Sequence, residues 1–227
     1  HIFLDTSYKS KWKITTSLLE EKCKKINGLK LLILNYPNNP TGLSYTKDEL
    51  KSIANICKEN KTLILSDEIY SRLHHRNDHV SVSKFYPEGT IITSGLSKWC
   101  GAGGWRLGTM IIPDELEKIK QAIINVSSET FSCVSSPIQY ASVVAYQDKK
   151  YINDYLFHSR RILKVIGDYC YEELKNADIK LHKQDGGFYL FPDFSNHSSN
   201  LLSKGVRTSS QFCEQLLMDT GVALLPG

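Results

Sequence analysis

The sequence predicts an α/β protein: a mostly parallel sheet with helices on both faces, followed by part of a smaller α+β unit. Three observations carry that expectation. The unbroken apolar runs Leu31–Asn35 (LLILN), Thr62–Ser66 (TLILS) and Thr90–Ser94 (TIITS) have the length and branched side chains of buried strands. A segment of helical period stands between the first two, as a βαβ unit requires. Each run also closes on a polar signature, NYPNNPTG (35–42), SDEIY (66–70) and SGLSK (94–98).

The elements follow in order. KCKK at 22–25 reads as a solvated helix face rather than a nucleic-acid patch. After the first strand, Thr46 with Glu49 three residues on is a capping-box signature. The helix it opens carries Leu50, Ile53, Ala54 and Cys57 on one stripe and is expected to end near Glu59. Leu107–Ile112 reads as a fourth strand, stopped by Pro113. Asp114 is the expected cap of a further helix with Leu116, Ile119, Ile123 and Ile124 as its apolar positions, and another helix is expected after Pro137. A long helix from about Tyr151 to Leu174 carries the periodic set Tyr155, Ile162, Val165, Ile166, Tyr169 and Leu174. Beyond Asn176 the expectation is a strand at Phe188–Phe191 introduced by Gly186-Gly187, a polar loop from Asp193 to Lys204, a helix at Ser209–Asp219 and a strand at Val222–Leu225. The domain reading is therefore a large unit over 1–150, a connecting helix over 151–175 and a small unit over 176–227. The first residues carry no capping or initiating signal and the last, LLPG, form a turn after a strand. The expectation is a piece of a longer polypeptide.

Composition narrows the class of function. Hydrophobic residues make up 41% and charged residues 23% of the 227-residue chain, as in ordinary globular proteins, and the net charge of +4 is dispersed. Nucleic acid is not an expected partner. No apolar run approaches the ~18 residues of a membrane span, and nothing resembles a signal peptide. The six cysteines form no C-x-x-C pair and do not cluster with histidine, which argues against a disulfide framework or a metal site and for a reducing, cytoplasmic compartment. His74, His75 and His79 read as solvated loop residues.

In an open α/β sheet, ligands bind outside the carboxyl ends of the strands, so the three polar signatures are expected to share one crevice. Their chemistry is complementary. Lys98, with its pKa brought down from ~10.4 by burial or a nearby cation, is a nucleophile toward carbonyls. Asp67 suits a protonated ring nitrogen, and Tyr70 and Asn39 can donate to a phenolate oxygen. Arg106, with the hydroxyl of Ser94 or Ser97, can clamp a phosphate. Taken singly, each residue has a bland role: a solvated lysine, a turn, a cap, a salt-bridge partner. Aldehyde, pyridinium, phenolate and phosphate together describe pyridoxal 5'-phosphate.

With these motifs assembled, the sequence resembles the fold-type I, pyridoxal-phosphate-dependent aminotransferases of class I/II. NNPTG, DEIY, SK and GWRLG stand in that family's order and spacing, and GGFYLFP looks like its small-domain strand. The resemblance implies that Lys98 forms the Schiff base with the cofactor, that Asp67 pairs with the pyridine nitrogen, that Tyr70 and Asn39 bond the phenolic oxygen, and that Arg106 binds phosphate. It also implies amino-acid and 2-oxo-acid substrates and a homodimer. A β-lyase or synthase of the same fold, and a non-catalytic cofactor-sensing domain of a transcription regulator, share the core motifs and stay open as alternatives. Two departures stand out. The family's phosphate-binding serine three residues before the lysine is Gly95 here. The family's upstream phosphate cradle, stacking aromatic and partner-lent tyrosine, and its downstream carboxylate-binding arginine, have no counterpart in these residues.

Overall fold

The computed structural model describes residues 1–28 and 30–227. Helix α1 (Thr16–Lys25) leads to strand β1 (Lys30–Asn35), helix α2 (Lys47–Glu59), and strands β2 (Thr62–Asp67), β3 (Thr90–Gly95) and β4 (Gly108–Ile111). Helices α3 (Glu117–Thr130), α4 (Ser136–Ala145), α5 (Lys150–Asn176), α6 (Ser198–Ser203) and α7 (Ser209–Thr220) follow. The four strands lie in chain order. β1, β2 and β3 are parallel and β4 runs antiparallel to β3, giving a mixed sheet in an α/β fold with helices to both sides.

The strand–helix–strand core forms where the sequence places it. Strand alternation sends Leu32 and Leu34 of β1 and Ile64 of β2 to one face, where they pack against Leu50, Ile53, Ala54 and Cys57 of α2 and Leu19 and Cys23 of α1. Thr46 Oγ1 accepts the Glu49 N–H at 3.2 Å while Glu49 Oε2 accepts the Thr46 N–H at 2.7 Å, so the capping box is present. The lysines of KCKK sit in the last turn of α1, with Lys24 and Lys25 paired to Glu20 and Glu21. A second cluster joins Tyr70, Leu73, Leu96, Trp99, Ala102 and Leu107 to Ile152 and Leu156 of α5. That cluster sets Tyr70 and Leu96, which follow β2 and β3, against α5. All six cysteines are free.

Several expectations are corrected. Asp114 opens a single 3-10 turn, and the residue preceding α3 is Leu116, which has no side chain to cap with. The long helix buries Ile152, Leu156 and Gly167, while Tyr155, Ile162, Val165, Ile166 and Tyr169 of the periodic set are exposed. The helix has apolar residues on two faces, and period alone does not say which face a neighbour covers. Residues 188–191 are not a strand: only the isolated bridges His74–Gly186 and Lys180–Asp193 form nearby, and residues 185–187 bond to the NNPTG loop and to the turn after Tyr70. Val222–Leu225 has no strand partner among the described residues, and the polar loop at 193–204 contains α6. The histidines are not solvated. His74 is buried, His75 Nε2 bonds the Gly187 carbonyl at 3.0 Å and His79 Nε2 bonds Glu68 at 2.8 Å. Burial holds the His74 and His75 imidazoles below their usual pKa.

Candidate active site

Parallel neighbours present the same end, so the polar segments after β1, β2 and β3 emerge side by side. The register sets Asn35 beside Asp67 and Asp67 beside Thr93. Asp67 Oδ2 accepts from Asn35 Nδ2 at 3.1 Å, and Oδ1 accepts from Thr93 Oγ1 at 3.3 Å and from the Ile69 N–H at 3.4 Å. The carboxylate is thus braced from both neighbouring strands. Asn35 also accepts the Asn39 N–H at 2.7 Å, which ties the NNPTG loop to the same strand end. Asn35 escaped the sequence reading; its one signal is its place as the polar residue that closes an apolar run.

Tyr70 follows β2 through a short turn and is buried. Its hydroxyl lies 2.9 Å from Tyr189 Oη, and Asn39 Nδ2 donates to the same Tyr189 Oη at 3.5 Å. Burial pushes the Tyr70 phenol well above its usual pKa. The Tyr189 hydroxyl and the Asp67 charge act in the same direction, and the Asn39 amide opposes them. Lys98, half-buried in the turn after β3, holds Nζ 5.7 Å from the centre of the Tyr70 ring. Among the described residues its amine makes no hydrogen bond or ion pair.

Tyr189 reaches this point because glycines let its segment lie flat on the NNPTG loop and on the turn after Tyr70. Gly42 has φ +69°, and a Cβ there would stand 2.6 Å from Gln184 Cβ and 2.7 Å from the Tyr189 carbonyl. The Gly42 carbonyl accepts from Asp185 N and Gly186 N at 2.8 and 3.1 Å, and Gly187 N donates to the Leu73 carbonyl at 3.1 Å. No feature of the sequence paired Tyr189 with Tyr70; the contact spans 119 positions.

On the opposite side of β2, buried Glu68 collects a second polar cluster. Its Oε1 accepts from Ser81 Oγ at 2.6 Å, Ser66 Oγ at 2.9 Å and Tyr36 Oη at 3.4 Å, while Oε2 pairs with His79 Nε2 at 2.8 Å. Burial alone would raise the Glu68 pKa, but the donors from His79, Ser81 and Ser66 together bring it below the usual carboxylate value. This cluster anchors the end of β2, where Asp67 stands, and the turn that leads to Tyr70.

The expected phosphate contacts are less assembled. Arg106 sits at φ +55°, exposed, and its Nη1 donates to the Gly103 carbonyl at 2.9 Å. Among the described residues it makes no hydrogen bond to Ser94, Ser97 or Lys98, and neither serine hydroxyl has a partner. At Gly95, a Cβ would lie 2.7 Å from the Leu107 carbonyl, so a serine there would require the β3–β4 backbone to move. Asn39, Asp67, Tyr70 and Lys98 therefore come together; among the described residues Arg106 and the two serine hydroxyls make no hydrogen bond to them.

Fold and strand-end geometry together define a class of protein. The family model for aminotransferase class I and II matches residues 4–227, and the chain belongs to that family, which depends on pyridoxal phosphate. It is 35% identical over 216 residues to a probable N-acetyl-LL-diaminopimelate aminotransferase of Bacillus subtilis, a match covering 95% of this chain and 51% of that protein. It is 32% identical over 231 residues to the aspartate aminotransferase of Geobacillus stearothermophilus, covering 100% and 56%. Among solved structures, the Thermus thermophilus aspartate aminotransferase with maleate superposes with a TM-score of 0.86 at 26% identity, over 98% of this chain and 55% of that one. The chain spans about half the length of the relatives it matches.

Proposed function

We infer that the protein of which these residues form part is a pyridoxal-phosphate-dependent aminotransferase, exchanging an amino group between an amino acid and a 2-oxo acid. The observation that carries the reading is the meeting of Asn39 and Tyr70 on one hydroxyl, with the Lys98 amine over the Tyr70 ring and the braced Asp67 carboxylate at the same strand ends. This donor set fits the cofactor: an unpartnered amine for an aldehyde, a carboxylate for a ring nitrogen, and a phenol with an amide for a phenolic oxygen. When bound, the cofactor supplies an aldehyde that condenses with amines and a ring that withdraws electrons from the substrate carbon bearing the nitrogen.

The side chains divide the remaining work. Lys98 Nζ holds the cofactor and, as a free amine, takes the proton from the substrate Cα. Asp67 keeps a proton on the ring nitrogen through a charge-assisted bond. Tyr70 Oη and Asn39 Nδ2 donate to the phenolic oxygen, and Arg106 with Ser94 and Ser97 binds the phosphate. The same reading divides the chain into a large unit (1–150), a connecting helix (151–175) and a small unit (176–227). It also takes the protein to be a homodimer, as the family resemblance implies, and to reside in the cytoplasm, where six free cysteines are at home.

Full-length protein supplied with pyridoxal phosphate, an amino acid panel and 2-oxoglutarate is expected to yield glutamate and the 2-oxo acid of the donor in equal amounts. Release of ammonia with a β-substituent would instead indicate a lyase, and no turnover of any donor would refute the reading.

A further inference from the structure

We propose that Arg72 is a positioning residue that, through Trp99, holds the Lys98 amine over the Tyr70 ring; this rests on the aminotransferase reading above. The Arg72 guanidinium carbon lies 4.5 Å from the centre of the Trp99 ring and 5.6 Å from that of Tyr146, and the two rings meet edge to face at 6.0 Å. Among the described residues the guanidinium makes no ion pair and no hydrogen bond, so the ring faces are its partners. A planar, weakly hydrated guanidinium suits that contact better than an ammonium would.

The chain positions of these residues give the contact its bearing on the site. Arg72 stands two residues after Tyr70, and Trp99 directly follows Lys98. Leu96 is fully buried and Trp99 is 3% exposed, so Lys98 lies between two anchors. Leu96 is held in the core by its own burial. Beyond Trp99 the chain runs through Cys100, Gly101, Ala102, Gly103 and Gly104, with no other large buried side chain before Leu107. Trp99 is therefore what fixes the far side of the Lys98 turn, and Arg72 covers its ring. Arg160 Nη1 of α5 in turn donates to the Arg72 carbonyl at 3.3 Å, which ties the turn after β2 to that helix. The stack joins the two turns whose side chains, Tyr70 and Lys98, face each other at 5.7 Å.

The test uses the full-length holoenzyme, read by steady-state kinetics and by the visible circular dichroism of the bound cofactor, which requires the cofactor to be held in one orientation. Arg72→Ala is expected to lower kcat by roughly 10- to 100-fold, to leave KM for the amino donor within about threefold, and to lose circular dichroism relative to absorbance. Arg72→Lys keeps the charge but not the planar face, and is expected to fall between wild type and alanine. In a Trp99→Leu background, Arg72→Ala is expected to add nothing, because its effect passes through the lost ring. Wild-type kcat and circular dichroism in Arg72→Ala, even with a lower urea midpoint, would reduce the stack to a structural staple and overturn the proposal. Full recovery in Arg72→Lys, or an equal loss in both backgrounds, overturns it as well, and each of these results leaves the cofactor site standing. Should the alanine variant not fold, the lysine variant decides alone. Absence of any visible band in the wild type with added pyridoxal phosphate overturns the aminotransferase reading itself.

Discussion

Glu68→Ala tests the platform that carries the site. The carboxylate is the shared acceptor for Ser66, Ser81, Tyr36 and His79, at 2.6 to 3.4 Å, and Glu68 is only 5% exposed. Its removal takes the shared acceptor from several buried donors. Breaking a buried charged network by deleting one member costs about 3–5 kcal/mol. With a urea slope of about 2–3 kcal/mol/M, that corresponds to a midpoint lowered by about 1–2 M. The assay is urea unfolding of the full-length protein, followed by tryptophan fluorescence, at pH 7. Glu68→Gln, which keeps the shape but not the charge, is expected to fall between wild type and alanine. The pH dependence has a defined sign. Since the folded pKa lies below the unfolded value of about 4.3, the stabilisation is complete above that value and disappears as pH falls through the folded one. Wild type and Glu68→Gln should therefore converge on acidification. A loss under about 1 kcal/mol for alanine, or a gap that widens toward acid, would refute the reasoning.

Gly42→Ala combines a φ of +69° with a Cβ 2.6 Å from Gln184 Cβ, so it should destabilise the protein by roughly 1–3 kcal/mol, read by the same denaturation assay, and loosen the 184–189 segment to proteolysis. Asp67→Ala is expected to lower the turnover of amino donors by at least about 10²-fold with the fold intact by circular dichroism, whereas Arg106→Ala should chiefly weaken retention of pyridoxal phosphate by about 10–100-fold in equilibrium dialysis. Burial, with Cys23 nearby, pushes the Cys57 thiol up to about 12, so in native protein at pH 7 a maleimide should modify exposed Cys133 and spare Cys57, as mass spectrometry can verify.

Much of the fold was legible because its signals are local. The runs at 31–35, 62–66 and 90–94 announce strands through composition, and Thr46 with Glu49 announces a helix start through hydrogen bonds that span three residues. Asp67, Tyr70, Lys98 and Asn39 could be picked out because each follows a buried strand, and parallel pairing gathers strand ends. Long-range packing left no such trace. FYLF has strand composition, yet no strand forms at 188–191; the residues just before it, 185–187, bond instead to Gly42, Leu73 and His75. The apolar period of α5 was legible, but not which of its faces a neighbour covers: Ile152 and Leu156 join the cluster of Trp99 and Leu96. His79 looked solvated until Glu68, 11 residues earlier on the buried side of β2, supplied its partner. Tyr189 could not be found from spacing at all.

The central claim is that Lys98 is the amine that holds the cofactor, and borohydride trapping tests it most directly. Full-length protein loaded with pyridoxal phosphate and reduced should lose its visible band, and peptide mapping should locate one phosphopyridoxyl group on Lys98. Lys98→Ala should acquire no label there and show no turnover above background. A label on a different lysine, or a Lys98→Ala protein that works at the native rate, would contradict the account.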